Sequence, residues 1–361
     1  MLFIDFKKAF DSLHRGLLMK ILRAYGIPHE IVHLIERLYD NTIAQVITED
    51  GLTEAFLILA GVMQGDTLAP YLFIIAIDYI LTKAMEGNDF GFTLHQQRSR
   101  RYPAVKITDA DFADDLALLT NTIAEAQRFL LSLEDTANSI GLHLNESKTK
   151  YIITADCKPG TITTKSGEEL KEAKDFLYLG SWISSSEHDF EVRKAKAWAA
   201  CHQMKTIWQS SMRRDLKIRL FQATVESILL YGAETWTLTT SLSKRVDGCY
   251  TRMLRMALNI NWKDMVNNAT VYGNLPRVTD RIRERRMRLA GHISRHDDLV
   301  AHELLFWDPK HGHRGPGRPH LTYIDMLKRD TNLDEVAEIK SLMADRVLWR
   351  LSIQARTKKP T

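Results

Sequence analysis

Cysteine is scarce. The chain has three in 361 residues, Cys157, Cys201 and Cys249, far apart and without the C-x-x-C spacing of a zinc knuckle. A disulfide framework is therefore excluded as the organising device, and free thiols in a reducing compartment are expected. Long apolar runs are missing too. The longest, around Pro70 to Leu81, contains Asp78 and falls short of the ~20 residues that a membrane span needs. The N-terminus lacks the basic-then-apolar pattern of a secretory signal. These absences point to an intracellular protein of nucleus or cytoplasm, neither secreted nor membrane-bound. No internal repeat or low-complexity tract is present, and His292, His296, His302, His311 and His313 have no nearby cysteines with which to form a zinc site.

What is present divides by charge. Residues 1–180 carry 18 Lys and Arg against 25 Asp and Glu, whereas residues 181–361 carry 31 against 20. An acidic first half suits a site that gathers divalent cations, and a basic second half suits a surface lying along phosphates. The length and the 45% hydrophobic content allow two or three domains, each with a core.

Periodicity outlines the elements. Leu2 to Phe6 reads as a short strand, followed by helices over about Ser12–Tyr25 and Pro28–Asp40. Thr42–Thr48 and Thr53–Leu59 alternate around Glu49-Asp50-Gly51, a hairpin turn. A helix over Leu68–Met85 precedes a polar loop, Glu86–Tyr102. Val105–Thr108 and Leu116–Leu119 read as strands flanking an acidic turn, and Thr122–Ile140 as an amphipathic helix ended by Gly141. Strands dominate to about Ile183, and helices follow from Ser186 onward, with Gly312–Pro319 the one strong break.

Asp114 and Asp115 are adjacent acids at a turn between apolar strands, where mutual repulsion is unfavourable without a cation. An isolated Asp-Asp is more often a solvated turn. A third acid, Asp5, ends another buried-looking strand. Nucleotidyl transfer needs two divalent ions about 3.5–4 Å apart, held by hard oxygen ligands, and two or three aspartates suffice for magnesium.

The surrounding motifs supply context. Phe3-Ile4-Asp5-Phe6-Lys7-Lys8-Ala9-Phe10-Asp11 resembles motif A of reverse transcriptases, and Phe112-Ala113-Asp114-Asp115 resembles motif C. Gly61-Val62-Met63-Gln64-Gly65-Asp66-Thr67-Leu68-Ala69-Pro70 is similar to motif B, although the family more often has Ser in the place of Ala69. Gly141-Leu142-His143-Leu144-Asn145-Glu146-Ser147-Lys148-Thr149 resembles motif D, and Tyr178-Leu179-Gly180 resembles motif E. Five motifs in order, with motif A in the form F-x-D-x-x-K-A-F-D, resemble the non-LTR retrotransposon branch over residues 1–184. A weaker likeness continues through Gly317-Arg318-Pro319 and Thr322-Tyr323-Ile324-Asp325.

The resemblance implies an α+β fold, a polymerase palm of antiparallel sheet and packed helices over 1–184. A helical thumb over 185–262 and a basic helical C-terminal region over 263–361 would follow. It implies an RNA-directed DNA polymerase working with two Mg2+ ions, or Mn2+, on an RNA template, a DNA primer and deoxynucleoside triphosphates. Asp5, Asp114 and Asp115 would hold the metals, and Lys148 would meet the triphosphate. Phe10 would press on the sugar 2′ position, Gln64 and Gly65 would line the nucleotide pocket, and Tyr178, Leu179 and Gly180 would grip the primer. Because motif A starts almost at Met1, the family's fingers have no counterpart, and a truncated chain of weak or absent activity is expected.

The basic half has its own candidates. Arg281, Arg283, Arg285, Arg286 and Arg288 form the densest run and would contact nucleic acid, although many charge runs are merely solvated. Arg314-Gly315-Pro316-Gly317-Arg318-Pro319 reads as an interdomain turn. Trp198 and Trp208 at helical spacing read as core. A non-catalytic nucleic-acid-binding remnant is the alternative function. An RNA-dependent RNA polymerase or intron maturase is a third; Phe10 and the form of motif A argue against the RNA-dependent RNA polymerase.

Overall fold

The computed structural model describes residues 1–153, 160–183, 185–307 and 321–357. Cys157 and the Arg314–Pro319 segment lie outside the described residues. Two compact units emerge, Met1–Lys174 and Asp175–Thr361. The division places the segment carrying Tyr178 to Gly180 with the helices that follow it.

The first unit is built on a five-stranded sheet with Leu2–Ile4 at its centre. That strand is apolar throughout and at most 3% exposed, as a strand covered on both faces must be. It pairs antiparallel with Asp115–Leu118 on one side and with Lys150–Tyr151 on the other. Asp109–Phe112 closes one edge and Lys171–Glu172 the other.

Helices Ala69–Met85 and Ile123–Ser139 pack against each other and share a core with the sheet. Ile123–Ser139 buries Ala126, Phe129, Leu130, Leu133 and Ala137 at helical spacing. The Thr122 hydroxyl caps it by accepting from Glu125 N at 3.1 Å. Pro70 opens Ala69–Met85, where its missing N–H costs nothing. Helices Arg15–Ala24 and His29–Tyr39 also match their expected places, and Ile43–Ala44 pairs with Phe56–Leu57 around the expected hairpin.

Two local expectations are corrected. The segment expected as a polar loop contains a strand, Phe92–His95, which pairs with Val105–Ile107. The partner of Asp115–Leu118 is instead Asp109–Phe112. That strand lies at the sheet edge and alternates acids with Ala110 and Phe112, so it shows no apolar run by which to find it.

Among its described residues the second unit is helical apart from a hairpin of Leu177–Tyr178 and Ser181–Trp182. Its main helices are Ser186–Gln203, Thr240–Ala257 and Val278–Ser294. Trp208, Phe221, Trp236 and Tyr250 are at most 2% exposed, and Trp198 packs against them, as its spacing predicts. A smaller cluster gathers Met287, Leu327, Ile339, Met343 and Trp349. Among the described residues no helix is long and apolar enough to cross a membrane.

Candidate active site

Strand pairing brings the acids together. In the antiparallel register Leu2 faces Leu118, Phe3 faces Ala117 and Ile4 faces Leu116. One step further along, Asp5 leaves its strand beside Asp115, across 110 positions of sequence. Asp114 sits in the two-residue turn between Phe112 and Asp115, after Ala113, whose φ of 57° is left-handed. An alanine in that region costs free energy that the flanking ladder must offset.

The electrostatics follow from this crowding. Burial, then the charges of Asp114 and Asp5, raises the Asp115 carboxyl above the ordinary carboxylate range. The donor set consists of hard oxygens, as magnesium requires. Among the described residues no three His, Cys, Asp or Glu side chains gather tightly enough to hold a metal ion. What joins the three aspartates is the strand register and the charge that Asp114 and Asp5 place on Asp115.

Asp5 is held by contacts that its own motif does not reveal. Asn145 Nδ2 donates to Asp5 Oδ2 at 2.8 Å, and Asn145 N donates to Asp5 O at 2.7 Å. Asp5 N donates to Thr149 Oγ1 at 3.3 Å. Lys148 Nζ stands 3.7 Å from the same Asp5 Oδ2, with its side chain 67% exposed. Asn145 and Thr149 were inside the motif D segment, yet nothing in spacing alone said that they reach back 140 residues.

Phe10, in the short helix Ala9–Ser12 that follows Asp5, stacks on Phe73 with centroids 4.4 Å apart and is half-buried. Its carbonyl accepts from Val62 N at 2.7 Å, which ties it to the exposed loop bearing Gln64 and Gly65. Gly61 makes this approach possible: at φ 80°, an added Cβ would lie 2.5 Å from Phe10 O. Gly141 is similar, with its Cβ position 2.6 Å from Ser12 O. Arg15, unremarkable in sequence, secures the same loop by donating to Gly61 O at 2.9 Å and to Tyr39 O and Ile58 O at 2.8 Å each.

Gly61→Ala should cost about 2–3 kcal/mol, because it combines left-handed strain with collision against backbone that cannot swing away. Gly65→Ala, with nothing within 4 Å of its Cβ position, should cost only the strain, about 1 kcal/mol. Urea denaturation of both variants checks this, and equal losses would refute the role of the close approach.

Next to the acidic turn, Asp111 is pushed up to about 7 by burial and by Asp109. Its residue surface is still exposed, so solvent tempers the effect. The sign is that of an acid easier to protonate when folded. Stability associated with it is greatest below about pH 4, the unfolded value, and is lost as pH rises through about 7. Asp111→Asn should shrink the fall in melting temperature between pH 5 and pH 8; an unchanged fall would contradict the assignment.

In the second unit, Tyr178, Leu179 and Gly180 form the hairpin turn, with left-handed φ values of 47° and 80° at Leu179 and Gly180. Arg193 donates to Gly180 O and lies 4.2 Å from the Tyr231 ring centroid; the Tyr231 hydroxyl donates to Leu179 O at 2.9 Å. The basic run is less open than its sequence suggests. Arg281 pairs with Glu226, Arg283 with Asp280 and Asp330, Arg285 with Glu234, and Arg288 with Glu284. Arg286 is 1% exposed and cannot reach a phosphate. A helix with five arginines in eight positions must turn some of them inward, and here an acid meets each.

The site is thus a sheet with two aspartates at one turn and a third just past the end of the neighbouring strand. The chain belongs to the reverse transcriptase (RNA-dependent DNA polymerase) family, whose model matches residues 1–183. It is 26% identical over 270 residues to a transposon-derived protein of Caenorhabditis elegans, covering 70% of this chain and 96% of that one. It is 25% identical over 267 residues to the Pol polyprotein of type-1 retrotransposable element R2 of Popillia japonica, covering 72% of this chain and 42% of the polyprotein. The type-2 R2 polyprotein of Drosophila melanogaster is 32% identical over 145 residues, 40% of this chain and 13% of its own length. The chain thus spans less than half of these two polyproteins. Such relatives agree with the non-LTR resemblance. A solved telomerase from Candida albicans, with TM-score 0.34 and 12% identity over 84% of this chain and 49% of that one, is too distant to add to the assignment.

Proposed function

We propose that this chain carries the palm of an RNA-directed DNA polymerase, transferring deoxynucleotides to a DNA primer 3′ hydroxyl on an RNA template. The observation that carries this reading is the strand register that sets Asp5 beside Asp115 and the Asp114 turn. Asp5 and Asp114, with Asp115 assisting, would hold two Mg2+ ions, or Mn2+. When bound, these ions activate the 3′ hydroxyl and neutralise the triphosphate. The remaining work is positioning.

Asn145 fixes the Asp5 carboxylate, and Lys148 offers a mobile charge for the leaving pyrophosphate. Phe10, stiffened by Phe73, would press on a ribose 2′ hydroxyl and so select deoxynucleotides; Gln64 and Gly65 would line the pocket. Tyr178, Leu179 and Gly180 would hold the primer. In this scheme residues 1–184 are palm, 185–262 thumb and 263–361 a C-terminal basic region. The alternative, a non-catalytic nucleic-acid-binding remnant, leaned on Arg281 to Arg288, which are engaged with acids of their own unit.

Mn2+ titration followed by electron paramagnetic resonance tests the site apart from turnover. Binding should vanish with Asp5→Asn, and Asn145→Ala, which frees the carboxylate, should weaken it by about tenfold. Binding indifferent to both substitutions would sink the proposal. Primer extension on an RNA template, with ribonucleotides substituted for deoxynucleotides, tests the chemistry and the Phe10 gate together.

A further inference from the structure

The second unit contains a cavity of about 600 Å³ whose walls include Arg252, Arg255 and Arg277. Arg252 and Arg255, three positions apart, share one face of helix Thr240–Ala257, and Arg277 arrives from the start of Val278–Ser294. Arg255 is fixed in place, its Nη2 donating to Val266 O at 2.7 Å and to Asn268 Oδ1 at 2.8 Å. Arg252 donates through Nε to Gly248 O at 3.3 Å and is otherwise exposed, as is Arg277.

These arginines differ from the 281–288 run in one respect. Each arginine of that run forms an ion pair, whereas among the described residues none of the cavity's three does. Asp247, the acid of the lining, is directed at Thr279, accepting from its N at 3.3 Å and its Oγ1 at 3.1 Å. With three arginines against one aspartate, whose charge acts on Arg277, the lining carries an excess of positive charge. Three guanidinium groups held apart around one space offer bidentate donors of the geometry that phosphate oxygens accept.

A second observation lies on the segment that Arg255 ties down. Trp262 is 78% exposed and Met265 86%, with Lys263 Nζ 5.9 Å from the indole centroid. Leaving an indole in water forfeits much of its burial free energy, and no local packing accounts for it. An open aromatic face on the segment that Arg255 ties down, together with the cavity's arginines, is the combination by which unpaired nucleotides are held, the backbone by charge and a base by stacking. Duplex hides its base faces and would leave the indole unused.

We infer that this cavity and the Trp262 ledge form a binding site for single-stranded nucleic acid, with Arg252, Arg255 and Arg277 taking backbone phosphates and Trp262 taking a base. The site does not rest on the polymerase reading, because every group in it lies in the second unit.

The test uses the full chain and a labelled oligo(dT), with fluorescence anisotropy measured across a salt series. Joint replacement Arg252→Gln and Arg277→Gln should weaken binding by about tenfold or more and lower the salt slope by about 1–2. Trp262→Ala should weaken it by about fivefold or more and leave the slope unchanged. Arg213→Gln, which removes an exposed arginine paired with Asp215, should change affinity less than about twofold. Melting temperatures monitor folding. Should the double variant unfold, Trp262→Ala still decides, since that side chain is in solvent. Unchanged affinity in either variant overturns the site. So does equal affinity for duplex, or displacement of oligo(dT) by inorganic phosphate or thymidine monophosphate at matching concentrations, which would make the cavity a small-anion pocket.

Discussion

Asp114→Asn is expected to remove nucleotide incorporation while leaving the protein at least as stable as before. If Asp114 holds a metal as proposed, losing its carboxylate removes several kcal/mol of transition-state charge stabilisation; roughly 4 kcal/mol corresponds to about a thousandfold in rate. Stability moves the other way. Burial first, and then repulsion from Asp114 and Asp5, raises the Asp115 carboxyl, so the folded state without metal carries an unfavourable charge density at this turn. An amide at position 114 relieves it. In magnesium-free buffer the variant should melt at or above the parent temperature, and magnesium should stabilise the parent more than the variant. Incorporation rates in single-turnover primer extension and melting curves with and without magnesium measure both. A variant that loses activity by unfolding would say nothing of metal; one that incorporates at the parental rate would remove Asp114 from the chemistry.

The second large effect lies in the helical unit and concerns stability alone. Arg286 donates through Nη1 to Asp330 Oδ2 at 2.5 Å and through Nη2 to Trp236 O at 3.1 Å, with both charged residues buried. Asp330→Ala leaves a guanidinium without its counter-charge in a desolvated place and should cost about 3–5 kcal/mol. The pair as such is less valuable than that figure suggests, because both ions gave up water to reach it. The double replacement Arg286→Met with Asp330→Leu should therefore recover most of the loss, and urea denaturation of the single and double variants distinguishes the two cases. Additive losses would mean that the ion pair stabilises the fold in its own right.

These predictions draw on different kinds of information. The first could be framed from residues alone: adjacent acids at a turn between apolar strands are unfavourable without a cation, and the apolar Leu2–Ile4 and Asp115–Leu118 segments announce buried strands. The amphipathic helix Ile123–Ser139 was equally legible, since its buried positions recur every three or four residues beneath a Thr122 cap and before Gly141. The second was not legible. Arg286 looks like its neighbours in a basic run, and only the three-dimensional position of Asp330, 44 residues on, removes it from solvent.

Sequence by itself determined the family, the apolar strands and amphipathic helices, and the helix-dominated basic half, and it marked the aspartates and Phe10 as candidates. Those are local properties, set by side-chain type, periodicity and permitted backbone angles. Tertiary structure alone decided which groups meet: Asn145 on Asp5, Arg15 on the Gly61 loop, Arg193 and Tyr231 on the Leu179 turn, and three unpaired arginines around one cavity. A side chain's charge is written in its formula, but its solvation and its partners depend on atoms brought near by chain segments distant in order, and those determine whether that charge is spent within the fold or left for a ligand.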